Sequence, residues 1–213
     1  SLYVISIIPI AINYKEINSK LSILPKTNIT TVLKDNKLFN LYHSFTGIFS
    51  FFIEFILPLY LYVSGLSLTV VGIIVALQYL LNIIANTLSK YLQNYNQLTL
   101  SFILSSIVMF VCLTIIMISK NSILIYIMIL ILGFVYHIIF TPLYGLFILT
   151  QKEKGFFHDS MFYRDCIQNI SRSITGSIYV LFPYFTIMFA FGLASSIGIG
   201  IASTGCLKQI NYK

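Results

Sequence analysis

The residues able to do chemistry in this sequence are few, and most of them fall in helical register. His43, Gly47, Ser50, Glu54 and Pro58 are spaced four, three, four and four apart, and Gln78, Asn82, Asn86 and Ser89 follow at four, four and three. Gly133, His137, Thr141 and Tyr144 repeat the pattern, as do Asp165, Asn169, Arg172, Gly176, Tyr179 and Pro183. At about 100° per residue each set shares one face of a helix. Glu54 is the only carboxylate well inside an apolar run, and Arg172 lies about two turns into another. Ionised groups are rarely retained in hydrocarbon without a partner or a task. These types and spacings suit hydrogen bonding to a polar solute, and Glu54 and His137 could carry a coupling proton. The candidate lining of such a site is Glu54, Gln78, Asn82, His137, Asn169, Arg172 and Tyr179. A structural role competes with this for every Asn, Gln and Ser, which also hydrogen-bond neighbouring helices. A lone His137 can likewise simply be packed.

Arg172 is expected to point into the bundle. Asp165 lies seven residues before it, about 10 Å along a helix, so a backbone carbonyl or a group on the second or fourth apolar run is the expected partner.

Other chemistries lack their residues. There is no GxSxG or HExxH sequence, and no paired carboxylates share a face at the ends of the apolar runs. Gly198-Ile-Gly200 with Gly205 lies inside an apolar run with no strand before it, which reads as helix packing and not a nucleotide loop. Cys112, Cys166 and Cys206 stand singly, so neither a disulfide framework nor a zinc site is expected, and no cofactor is implied.

The elements that must position these residues follow from composition. The hydrophobic set makes up 58% of 213 residues and charged residues only 9%, against about 25% in soluble domains. Mean hydropathy is +0.91. So few charges cannot clothe a water-soluble globule, which excludes a soluble enzyme, a disordered tail and a nucleic-acid-binding domain. The long apolar runs predict an all-α membrane protein, with the lipid bilayer as its first partner.

Residues 41–206 divide into six runs near the ~20 residues that a spanning helix needs. They are 41–63, closed by Ser64-Gly65; 67–89, with Ser67 as N-cap; 98–118; 123–149; 164–182, ended by Pro183; and 185–206. The fifth is the least apolar. Residues 1–12 read as the end of a truncated transmembrane helix, 13–40 as a polar loop and 207–213 as a tail. The expectation is therefore a fragment of a longer protein.

Orientation follows from Lys and Arg. Eleven of them (Lys15, Lys20, Lys26, Lys34, Lys37, Lys90, Lys152, Lys154, Arg164, Lys208 and Lys213) fall on the side of the 13–40 loop. Lys120 falls on the other, with Arg172 inside a run. The loop and the C-terminus are expected to be cytoplasmic, at the plasma membrane. Four of the runs carry polar stripes. The third has only Ser101, Ser105 and Ser106 near one end, and the sixth has Gly192, Ser196, Gly200 and Thr204 at the small-xxx-small spacing of close helix packing. A polar interior lined by runs one, two, four and five would explain the division.

Two segments carry a resemblance. Leu57–Gly72, LPLYLYVSGLSLTVVG, resembles the major facilitator superfamily where a Pro-containing helix end meets a tight external turn. Tyr163–Gly176, YRDCIQNISRSITG, is similar to the run that opens the eleventh helix in some bacterial members. The resemblance implies the C-terminal half of such a transporter, helices seven to twelve, a six-transmembrane-helix bundle that with its N-terminal half moves a small solute by alternating access. In that family helices seven, eight, ten and eleven line the cavity, in agreement with the four stripes. Ser89–Gln97 keeps only Lys90 of the charges expected in the family's cytoplasmic signature, so the charge latch of that loop is not implied. Rival readings are a complete six-helix protein, such as a substrate-binding subunit of an importer, and a non-catalytic membrane scaffold.

Overall fold

The structure is a computed structural model that describes residues 34, 36–89, 91–92, 95–153 and 157–211. Residues 1–12, most of the expected 13–40 loop, Lys90 and Lys154 lie outside the described residues. Every described element is helical. We label them α1 (Lys37–Val63), α2 (Leu68–Ser89), α3 (Tyr95–Ile118), α4 (Ser122–Glu153), α5 (Phe157–Leu181) and α6 (Phe185–Asn211).

The boundaries have local causes. α1 starts at Lys37, inside the segment read from sequence as loop, and α6 runs on to Asn211 through most of the expected tail. A Schellman motif ends α1, with Gly65 N donating to Tyr62 O and Leu66 N to Leu61 O, and Gly65 supplies the left-handed residue at φ +95°. Ser67 caps α2, its Oγ accepting from Val70 N at 3.4 Å. Asn121 caps α4 by accepting from Ile123 N at 3.0 Å. Pro183 lacks the N–H needed to continue α5. α5 begins seven residues before the sequence boundary, so Arg172 lies about four turns into it, near its middle.

α1 is not uniform. It is α-helical over Lys37–Phe51 and Leu57–Val63, with a π-helical turn over Phe52–Ile56 between them. Pro58 explains the change. A proline offers no N–H to the carbonyl four residues back, here that of Glu54, and its ring crowds that carbonyl. Widening the preceding turn relieves the clash, and Leu57 N donates to Phe52 O, five residues back.

Five of the six helices, all but α5, are long and apolar enough to cross a membrane. α5 has the length, 25 residues, but carries Arg164, Asp165 and Arg172. The buried core is rich in Phe49, Phe52, Phe102, Met109 and Phe189, while Leu68, Ile83, Leu100 and Ile118 stand on the exterior. An apolar surface of this extent is costly in water and suited to lipid. The chain is thus an integral, multi-pass membrane protein.

The helices pack in a symmetric pattern. α1 lies against α5 and α6, α4 lies against α2 and α3, and α3 and α6 lie against each other. Exchanging α1 with α4, α2 with α5 and α3 with α6 leaves this set of extensive contacts unchanged. Phe39 and Phe49 of α1 meet Phe147 and Tyr136 of α4 in reverse order, and Ser106 and Leu113 of α3 meet Gly200 and Gly192 of α6 in reverse order. α5 runs parallel to α1 and α2 parallel to α4, so exchanged helices run in opposite directions. The bundle is therefore two three-helix units in inverted orientation. The α3–α6 contact follows from the small residues seen in the sequence. A methyl group on Gly200 would lie 2.5 Å from Ser106 Oγ, and that hydroxyl donates to the carbonyl of Ser196.

Candidate functional site

The four polar stripes meet in pairs. On α1, Gly47 lets α5 approach until an added Cβ would be 2.7 Å from the backbone carbonyl of Gln168. Gln168 Nε2 then donates to Thr46 Oγ1 at 3.2 Å and stands 3.5 Å from His43 Nδ1. One turn further along α5, Arg172 Nε donates to Ser50 Oγ at 2.9 Å, and Arg172 Nη2 lies 3.6 Å from Glu54 Oε1. Arg172 thus finds its partners on the first helix. The sequence expectation of a backbone carbonyl, or of the second or fourth helix, is corrected here. The close Gly47 contact brings Ser50 within reach first. Asp165 is engaged with its neighbour Arg164 instead.

The α2–α4 pair is built the same way. Gly133 on α4 has no side chain because Gln78 of α2 fills the space that its Cβ would occupy. One turn on, Asn82 joins the two helices. In the amide orientation that satisfies both ends, its nitrogen donates to Gln78 O at 3.0 Å and Gly133 O at 3.2 Å. Its oxygen then accepts from His137 Nε2 at 3.0 Å. That bond places the His137 proton on Nε2 and leaves Nδ1 as an acceptor. A further turn on, Thr141 Oγ1 donates to Asn86 Oδ1. The two pairs are counterparts under the inverted repeat, each with a glycine on one helix meeting a glutamine on the other and a polar side chain four residues after that glutamine reaching back.

Between α1, α2 and α4 this leaves a cavity of about 340 Å³. Glu54, Gln78, Asn82 and His137, four of the residues expected from sequence, line it. Ser50, Asn86 and Tyr136 add polar atoms, and Ile53, Val75 and Tyr79 supply apolar wall. Glu54 sits in the π-helical turn, a distortion common at functional sites. Arg172 borders this region through Glu54 and Ser50 without lining the cavity itself. The side chains of Arg172 and Glu54 are 38% and 53% exposed, so the pair is open at its outer edge. Asn169 and Tyr179 do not line this cavity; Asn169 is exposed and Tyr179 packs toward Phe185. The expectation of one interior lined by four stripes resolves into two zipped helix pairs and a cavity beside the α2–α4 pair.

Sequence reasoning missed three features. Tyr136 and Tyr79 face the cavity, yet aromatic residues in an apolar run carry no polar signal. The π turn had a signal in Pro58, four residues after Glu54. A buried cluster at the other end of the bundle joins three elements: Gln151 Nε2 donates to Asn36 Oδ1 at 2.9 Å and Ser160 Oγ donates to Gln151 Oε1 at 2.7 Å. Asn36, Gln151 and Ser160 are each at most 2% exposed.

Among the described residues no three His, Cys, Asp or Glu side chains gather in a way that could hold a metal ion. Cys112, Cys166 and Cys206 are free thiols. The chain matches no family model, no curated protein and no solved structure.

Proposed function

We propose that the chain is a transport protein that moves a small solute across a membrane by alternating access, as a half of a transporter of the major facilitator type. The observation that carries this reading is the cavity of about 340 Å³ among α1, α2 and α4, with Glu54, Gln78, Asn82 and His137 in its wall. Polar and ionisable groups are retained at such depth chiefly where a substrate or ion path needs them. The inverted arrangement of two three-helix units supports the same reading. Each six-helix half of a major-facilitator transporter is built from such nested repeats, with the site near the midplane where units meet.

On this reading α5 is a sixth membrane span. Its least apolar face turns to α1, where Ser50 and Glu54 compensate Arg172. A second six-helix bundle, the N-terminal half, completes the path, and rocking of the two halves exposes the cavity to each side in turn. Glu54 and His137 are the candidates for a coupling proton. The charge bias of eleven to one puts the Lys37 and Lys208 ends in the cytoplasm. We place the protein in the plasma membrane with its C-terminus inside.

Uptake of a panel of labelled small metabolites, compared between cells with and without the chain together with the N-terminal bundle that completes its path, tests the function. Accumulation of at least one solute should depend on the protein and fall when Arg172 is replaced by Ala. Protein-dependent accumulation that survives Arg172→Ala and Gln78→Leu unchanged would detach transport from this cavity.

A further inference from the structure

The cavity also carries information on what it takes, and this step rests on reading it as the substrate site. Glu54 lines it with a side chain that is 53% exposed. Among the described residues the Glu54 carboxylate accepts no hydrogen bond. Arg172 Nη2 approaches Oε1 only to 3.6 Å, against about 2.7–2.9 Å for a charge-assisted bond, and Oε2 has no donor. A carboxylate accepts about four hydrogen bonds when fully satisfied. One held inside a membrane helix with none, in the wall of a cavity, is placed for a donor that a ligand brings.

A carboxylate kept only to neutralise Arg172 would close on it. Arg172 is instead anchored by donating to Ser50 Oγ at 2.9 Å, and it does not line the cavity. Its hold on α1 therefore does not depend on Glu54, and the open ion pair competes only weakly for the carboxylate.

Charge narrows the class. Glu54 is the only Asp, Glu, Lys or Arg in the wall. An anion would meet a like charge there with no cation beside it. A neutral hydroxyl can donate to Oε2, but a bond between two ionised groups is the stronger. Tyr79 and Tyr136 line the same cavity, and aromatic rings both attract cations and suit carbon-bound surface. Ile53 and Val75 add apolar wall, and the volume is at the lower end of small-molecule sites.

We propose that the α1–α2–α4 cavity takes a small organic ammonium ion whose N–H groups donate to Glu54 Oε2, while Oε1 stays turned to Arg172. The carboxylate is then shared between a fixed guanidinium on one side and the bound cation on the other.

Three probes of similar size separate the classes: cyclohexylammonium, cyclohexanol and cyclohexanecarboxylate. Saturation-transfer NMR on the full chain in zwitterionic lipid nanodiscs at neutral pH, with empty nanodiscs as background, reads their binding. Cyclohexylammonium should bind above background, cyclohexanol more weakly, and cyclohexanecarboxylate not at all. Glu54→Gln, which keeps the volume and loses the charge, should weaken cyclohexylammonium roughly tenfold or more. Arg172→Gln removes the competing cation and should tighten it roughly two- to fivefold, a gain that misfolding cannot produce. A loss in Glu54→Gln without the gain in Arg172→Gln would make Glu54 structural and overturn the shared carboxylate. If the alcohol or the carboxylate probe binds as well as the ammonium, and Glu54→Gln changes that binding, the site stands and the solute class is wrong. If binding of no probe depends on Glu54 or Arg172, both the class and the reading of the cavity as a binding site fall.

Discussion

A single guanidinium ties α5 to two successive turns of α1: Arg172 Nε donates to Ser50 Oγ at 2.9 Å while Arg172 Nη2 lies 3.6 Å from Glu54 Oε1. The hydrogen bond is well formed, and the ion pair is longer than a charge-assisted bond, which runs at about 2.7–2.9 Å. With both side chains more than a third exposed, the pair belongs with open ion pairs, worth about 1 kcal/mol or less. Arg172→Lys should therefore cost little in thermal stability. It should still impair function, because an ammonium on a flexible stem cannot hold Ser50 and face Glu54 in one fixed fork. Melting curves and uptake on the same variant check both halves. A fall in stability that accounts for the whole loss of uptake would make the pair structural.

The two glycine contacts should respond differently to alanine. At Gly47 the obstacle is the backbone carbonyl of Gln168 at 2.7 Å, so Gly47→Ala must push α5 away from α1. At Gly133 the obstacle is the Gln78 side chain. Overpacking of this kind costs about 1–3 kcal/mol. Gln78→Ala should rescue Gly133→Ala, while Gln168→Ala should leave Gly47→Ala as destabilised as before. Thermal midpoints of the four variants decide it, and rescue of Gly47→Ala would show that the backbone carbonyl is not the obstacle.

The Asn36–Gln151–Ser160 cluster should matter more to stability than the exposed ion pair. Gln151 is fully buried, and its amide accepts from Ser160 and donates to Asn36. Removing it strands buried polar atoms, a loss of about 1–3 kcal/mol. Gln151→Ala should lower the thermal midpoint more than Ser160→Ala does, since the second change removes a donor and leaves the Gln151–Asn36 bond intact. Equal midpoints for the two variants would place the stability of this end elsewhere.

Much of this architecture is legible in the sequence because hydrocarbon imposes simple rules. Long apolar runs mark the helices, Ser64-Gly65 and Pro183 mark their ends, and Gly200 with Ser196 marks a close helix contact. Four residues of the cavity wall are legible too, since polar side chains in register stand out from an apolar background. What they face is not legible. Helical spacing says that Ser50 and Glu54 share a face, but not that α5 brings Arg172 against them. That pairing depends on Gly47, whose closeness to Gln168 only three dimensions reveal. The inverted repeat is hidden for a similar reason: helix contacts are conserved between its two units while the side chains making them differ, Asn82 in one and Arg172 in the other.

The charge bias gives a direct test of orientation. With single cysteines placed for labelling in intact cells, Ser64 and Asn121 should react with a membrane-impermeant reagent from outside, and Lys152 only after permeabilisation. Labelling at Lys152 but not at Asn121 in intact cells would invert the topology.

Alternating access itself is the central claim, and a cysteine at Tyr79 tests it most directly without knowledge of the solute. Tyr79 lies near the middle of α2 and lines the cavity. Cys112 and Cys206 are buried, so a Cys166→Ser background leaves Tyr79→Cys as the reactive thiol. An impermeant methanethiosulfonate should modify it when added from outside to intact cells, and also when added to the cytoplasmic face of inverted vesicles. A substrate that holds one state should raise one rate and lower the other. Modification from one side only, whatever solute is supplied, would contradict alternating access and leave a cavity that serves a static membrane protein.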